Sequence, residues 1–199
     1  MYLMINNYDS FVYNLVSYLK ELGVGVKVIS QREASLRAVK NLAPKAIIIS
    51  PGPKSPEATG ACLEIIAAFK GKIPILGVCL GHQTIAYALG ANISKGKTPV
   101  HGKVTPISNS GKGIFQNLPK TYRVTRYHSL VVENEQLPGD LVIEARGEGN
   151  TIMALSHRRY PIYGVQFHPE AVLTEYGREL LQNFITITEE WWNKHDTDH

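Results

Sequence analysis

The sequence predicts an α/β protein: an open, mainly parallel sheet of mixed character, flanked by helices, with extra antiparallel strands in its second half. Three observations predict it. Short β-rich apolar runs alternate with amphipathic stretches through the first half, the rhythm of a parallel sheet covered by helices. Beyond Gly90 that rhythm gives way to several shorter strand-like pieces. At 199 residues, 44% hydrophobic and 19% charged, the chain has the size of one domain whose core needs neither disulfide nor metal.

The elements follow in order. Tyr2, Leu3, Met4 and Ile5 form a buried strand, and the polar loop Asn6-Asn7-Tyr8-Asp9-Ser10 leads into a helix. Phe11, Leu15, Tyr18, Leu19 and Leu22 share one face of that helix, which Gly23 ends. A strand over residues 24–29, a helix over 35–41 and a strand over 46–49 come next. The third strand runs into Ser50-Pro51-Gly52-Pro53-Lys54-Ser55-Pro56, where three prolines stiffen a loop at a strand's C-terminal end, the usual place for a site wall. A helix over 61–69, a strand over 74–78 and a helix from Leu80 to Gly90 complete the first half. Strands are expected over 103–107, 122–126, 141–145, 152–155 and 162–167, then a helix over 175–192. Residues 1–193 are expected to form one domain and 194–199 a polar tail.

Composition excludes several classes of function. No apolar run approaches the roughly 20 residues of a membrane span. The charge sum of +4 arises from scattered Lys and Arg, with no dense basic tract or aromatic-interleaved platform, so nucleic acid is not an expected partner. Two cysteines, Cys62 and Cys79, are too few for a disulfide framework, and no secretory leader opens the chain, so a reducing cytoplasmic setting is expected. Lys95-Gly96-Lys97-Thr98 resembles the end of a P-loop, but Ala91 occupies the place of its first glycine. His82, His101, His128 and His157 lack metal-ligand spacing; they are read as structural, with His101 and His128 facing a partner. No cofactor and no metal are expected.

Chemistry concentrates around Cys79. In Gly77-Val78-Cys79-Leu80-Gly81 the thiol stands between two glycines, at a strand-to-helix junction, the spacing of a nucleophile elbow. Such a turn forces its central residue into a strained conformation, tolerates only small neighbours at ±2, and places the thiol at a helix N-terminus that favours thiolate. The segment Tyr163-Gly164-Val165-Gln166-Phe167-His168-Pro169-Glu170 alternates like a strand, which would put His168 and Glu170 on one face at the sheet's C-terminal rim. Nucleophile, base and orienting carboxylate are then all present.

Taken together, these motifs resemble the class I, triad-type glutamine amidotransferases, especially the small glutaminase subunits of the chorismate-linked branch. The resemblance rests on Asn7 to Phe11, Ser50 to Pro53, Gly77 to Gln83, His101 to Lys103, Tyr127 to Leu130 and Gly164 to Glu170, in that order along nearly the whole chain. It implies Cys79 as nucleophile, His168 as general base and acid, and Glu170 as the group that orients His168. It further implies an oxyanion hole from the backbone N–H groups of Gly52 and Leu80, and L-glutamine held by Gly52, Gln83, Ser129 and Leu130, with residues 127–130 as a loop. The implied reaction is hydrolysis of glutamine to glutamate and ammonia through a thioester. The implied partner is a separate, larger, chorismate-using synthase subunit that makes anthranilate or 4-amino-4-deoxychorismate. Three positions depart from the family's habit: Asn6 stands in place of the usual Asp, Lys54 in place of a small residue or Cys beside the pocket, and Ala171 in place of a frequent Ser. Two other readings fit part of the pattern, a γ-glutamyl peptidase or other small cysteine amidase on the same scaffold, and a non-catalytic binding module.

Overall fold

The computed structural model describes residues 1–195; the last four positions of the expected tail lie outside the described residues. The chain runs through β1 (Tyr2–Asn6), α1 (Val12–Glu21), β2 (Val26–Ser30), α2 (Leu36–Leu42), β3 (Ala46–Ile49) and α3 (Ala61–Phe69). It continues through β4 (Ile75–Val78), α4 (Leu80–Ala88), β5 (Ile93–Asn109), β6 (Thr121–Val132), β7 (Leu141–Arg146), β8 (Ile152–His157), β9 (Ile162–Val165) and α5 (Gly177–His195). The strands form one open sheet in the order β2-β1-β3-β4-β9-β8-β7-β5-β6. Pairing is parallel from β2 to β9 and antiparallel from β9 to β6, so the predicted change of character along the chain is also a change across the sheet.

Strand alternation builds two cores. Tyr2 and Met4 of β1, Ala46 and Ile48 of β3, and Leu76 and Val78 of β4 face α1 and α5, where Leu15, Leu19, Leu181 and Phe184 meet them. Leu3, Ile5, Ile47, Ile49 and Ile75 face the other way, onto Val39 of α2, Cys62, Ile65 and Ile66 of α3, and Ile85 of α4. Both faces of the parallel half are covered, which is why its strands read as unbroken apolar runs. A third cluster, including Ala86, Leu141, Ile152 and Leu155, seats the antiparallel half against the end of α4.

Several expectations need correction. Phe11 is 65% exposed, because it precedes the first helical residue as N-cap (φ −107°, ψ 10°) and so falls off the helical face. The expected strand 103–107 is only part of the C-terminal half of the 17-residue β5, which hairpins with β6 and carries irregularities between Lys95 and Val100 and between His101 and Lys103. Gly96, Pro99 and Gly102 break the alternation there, and the bulges absorb them. Residues 127–130, expected as a loop, lie inside β6. The last strand stops at Val165, because the amides of Gln166 and His168 donate to Met153 O and Thr125 O and leave the parallel ladder. At the C-terminus α5 continues through Lys194 and His195, residues expected in the tail. Among the described residues no helix is long and apolar enough to cross a membrane.

Ile48, fully buried in the central strand β3, is a direct probe of this core. Ile48→Ala is expected to lower the unfolding free energy by about 2–5 kcal/mol in a urea titration with unchanged slope; a loss below about 0.5 kcal/mol would contradict the packing described.

Candidate active site

The elbow is present. Cys79 follows β4 directly and precedes α4, with φ 52° and ψ −104°, a region that side chains rarely occupy. Its N–H donates to Val165 O at 2.8 Å and its carbonyl accepts from Gln83 N at 3.2 Å, so β9 and α4 hold the strained residue from both sides. The flanking glycines are required by close approach. A Cβ on Gly77 would lie 2.3 Å from Gly81 O, and one on Gly81 would lie 2.1 Å from Ile49 O.

His168 and Glu170 stand beside the thiol, but not by strand alternation. Past the end of β9 the chain turns back on itself, with Ala171 N donating to His168 O at 3.2 Å, and this turn brings the two side chains together. His168 Nδ1 lies 2.6 Å from Glu170 Oε1, and both residues are buried. Thr174 Oγ1 donates to His168 O at 2.7 Å, and the Tyr127 ring packs edge-on against the imidazole, centroids 5.4 Å apart. Burial works against charge on His168, yet its interaction with Cys79 and its bond and attraction to Glu170 outweigh that and raise its pKa well above the ordinary histidine value. The remaining ring nitrogen, Nε2, is buried and has no hydrogen-bond partner, while the thiol is near enough to favour its charged form.

The loop after β3 approaches the head of α4, next to Cys79 in the chain. A Cβ on Gly52 would lie 2.4 Å from Asn7 O and 2.9 Å from Leu80 Cδ2, so only glycine admits the loop this close to the head of α4. Among the described residues the Gly52 N–H has no backbone acceptor, and Leu80, as first residue of α4, has no intrahelical one. Asn7 braces the loop: its N–H donates to Ser50 Oγ at 2.9 Å and its Nδ2 to Ser50 O at 3.1 Å. Cys62 Sγ in turn donates to Asn7 Oδ1 at 3.6 Å, and burial pushes that thiol up to about 12.

Gln83 is buried near the thiol, its Nε2 donating to Leu130 O at 3.0 Å and to Gln166 Oε1 at 2.9 Å. Ser129 is exposed on β6, next to Leu130. Three neighbours lie in segments the sequence singles out but receive no role from it. Gln166 is fully buried, positions Gln83 and reaches 3.7 Å from Cys79 Sγ; Tyr127 O lies 3.5 Å from the same sulfur; and Asn7 holds the loop. A buried glutamine between Val165 and Phe167 was the available signal.

The departures are mostly absorbed locally. Asn6 Oδ1 accepts from Asp9 N at 2.9 Å, a role an aspartate would also fill; Ala171 contributes backbone only; and Lys54 Nζ sits over the Tyr8 ring, 5.6 Å from its centroid. His128, expected on a partner-facing surface, is instead 7% exposed, since Arg126 Nε donates to its Nε2 at 3.1 Å, while His101 is exposed. Among the described residues no group of three or more His, Cys, Asp or Glu side chains is arranged to hold a metal ion.

A thiol at an elbow beside a carboxylate-bonded imidazole, on an open α/β sheet, is the kind of arrangement a cysteine amidase requires. The chain belongs to the glutamine amidotransferase class-I family, whose model matches residues 3–187. It is 48% identical over 185 residues to the aminodeoxychorismate/anthranilate synthase component 2 of Bacillus subtilis, covering 93% of this chain and 95% of that one. It is 46% identical over 189 residues to the anthranilate synthase component 2 of Azospirillum brasilense, covering 94% and 96%. Among solved structures, a Thermoplasma acidophilum protein described as a candidate GMP synthase component superposes with a TM-score of 0.87 at 28% identity, covering 98% of each chain.

Gly81→Ala tests the close approach at the elbow. It is expected to cost about 3 kcal/mol of stability in chemical unfolding, since the clash is with backbone that cannot move aside; an unchanged unfolding midpoint would contradict the geometry.

Proposed function

We propose that this chain is the glutaminase subunit of a chorismate-using synthase, making ammonia from L-glutamine for a larger partner that builds anthranilate or 4-amino-4-deoxychorismate. The observation that carries the reading is the buried Cys79, His168 and Glu170 relay, facing a glycine loop whose amide has no backbone acceptor. Support for the partner comes from the relatives, which bear the names of second components of anthranilate and aminodeoxychorismate synthases.

The steps follow from the chemistry an amide requires. The Cys79 thiolate attacks the side-chain carboxamide carbon, and the C=O electron pair moves onto oxygen. The N–H groups of Gly52 and Leu80 receive that oxyanion; one such donor contributes roughly 3–4 kcal/mol. Collapse breaks the C–N bond while His168 Nε2–H gives its proton to the departing nitrogen, leaving ammonia and a thioester. His168, now neutral, takes a proton from water as its oxygen attacks the thioester. The second collapse releases glutamate and restores the thiolate–imidazolium pair. Glu170 fixes the Nδ1–H tautomer throughout and stabilises the imidazolium. Gln83, Ser129 and Leu130 take the amino-acid end of glutamine.

Free ammonia at neutral pH becomes ammonium and loses its nucleophilicity, so the partner must cover the site. The surface around the relay suits that role. Tyr8, Phe11, Tyr127, Val172, Leu173 and Tyr176 are exposed, and Tyr127 touches His168 directly while Val172 and Leu173 follow Glu170 in the chain. The mild positive charge of +4 suits a larger acidic partner. Glutaminase turnover is expected to be weak alone and to rise when the synthase docks.

Cys79→Ser is expected to lower glutamate release from glutamine roughly 10⁴-fold or more in an enzymatic glutamate assay; retained activity would refute the assignment. Glu170→Gln removes a negative charge that, together with Cys79, holds the His168 pKa up. Turnover is expected to fall roughly 100-fold or more, and the alkaline limb of the pH profile, where the imidazolium loses its proton, to move to lower pH. An unmoved limb would contradict the role given to Glu170.

A further inference from the structure

One cleft of the molecule includes none of Cys79, Gly52, Gln83, Ser129 or Leu130 in its lining, and nothing in the proposed glutaminase chemistry uses it. It measures about 640 Å³ and opens where β5 leaves its partner: pairing jumps from Lys95 and Leu130 to Val100 and His128, so four residues of β5 bow out against one of β6. The bulge, the end of β6 and the turn around Gly149 form its walls.

Arg126 is the buried cation of this cleft, only 5% exposed. Its Nε donates to His128 Nε2 at 3.1 Å and its Nη1 approaches Thr105 Oγ1 at 3.4 Å, both neutral groups. Among the described residues no carboxylate forms an ion pair with it. Glu148 favours its charge from a distance but is engaged by Lys103 at 3.8 Å. A guanidinium stays charged, and a buried cation without a carboxylate partner is costly, so Arg126 favours an anion in this cleft. Its rim carries Lys95, Lys97 and Lys103 but also Glu133, Glu135 and Glu148. That balanced rim disfavours a polyanion, while the planar fork of Arg126 matches a carboxylate in shape.

We propose that this cleft is a binding site for a small carboxylate ligand, held by Arg126 and assisted by Lys103. The site does not depend on the glutaminase reading, but it adjoins it. His128 receives Arg126 on Nε2 and contacts Leu130 O through Nδ1 at 3.0 Å, and the same Leu130 O accepts from Gln83. A carboxylate that draws the guanidinium toward itself therefore changes the bond that holds the His128 ring.

The test uses malonate as probe, with the full chain labelled for histidine side-chain ¹⁵N NMR, and inorganic phosphate as a comparison at matched ionic strength. Saturable malonate binding that shifts the His128 ring nitrogens is expected, at least 10-fold weaker in Arg126→Gln and partly restored in Arg126→Lys. Lys103→Gln, at an exposed position that leaves the fold intact, is expected to weaken binding several-fold and covers the case in which Arg126→Gln fails to fold. No saturable binding, binding unchanged in Lys103→Gln, or a shift absent from His128 would overturn the proposal. Phosphate binding tighter than malonate would overturn the choice of carboxylate.

Discussion

The left-handed backbone of Cys79 is the constraint on which the rest of the structure depends. Holding a non-glycine residue at φ 52° and ψ −104° costs about 1–3 kcal/mol, which the surroundings must offset. They do so through β9, whose Val165 carbonyl binds the Cys79 amide, and through α4, whose first turn begins at the next residue. The tight packing of Gly77 on Gly81 and of Gly81 on β3 follows, since any side chain there would push α4 away from the sheet and release the strain. The parallel half of the sheet, covered on both faces, is the rigid frame that makes such strain tolerable.

Around that fixed thiol the other groups arrive on separate segments, each with its own anchor. The His168–Glu170 turn is pinned by Thr125 O and Thr174 Oγ1, and the Gly52 loop by Asn7 and Ser50. Gln83 is tied to Gln166 and to β6. Because these anchors are backbone and buried side-chain hydrogen bonds, the proposed oxyanion donors Gly52 and Leu80 sit on segments the fold itself holds, as electrostatic catalysis requires. The second cysteine illustrates the contrast. Cys62 lies in an apolar core that raises its thiol to about 12, whereas Cys79 sits at a helix start beside an imidazole.

Much of this was legible in the sequence, for physical reasons. The strand and helix runs of the first half were readable because both faces of those strands are buried, and Gly77-Val78-Cys79-Leu80-Gly81 was readable because the elbow's steric demand is local. What escaped depends on contacts far apart in the chain. The hairpin of β5 and β6 was cut short because its bulges at Gly96, Pro99 and Gly102 erase the alternation that signals a strand. The His168–Glu170 pair was expected for the wrong local reason, a strand rather than a turn, because the amides that end β9 find acceptors on β8 and β6. Gln166 and Asn7 act on partners 83 and 43 residues away, which no local pattern announces.

The central claim is that one of two thiols is activated by its place in the fold. Alkylation by a chloroketone analogue of glutamine, read by intact-mass and peptide mass spectrometry, tests it most directly. A single adduct on Cys79, with Cys62 unmodified and with labelling slowed by added glutamine, is the predicted result. Labelling of Cys62 at a comparable rate, or labelling of Cys79 that glutamine does not slow, would contradict it.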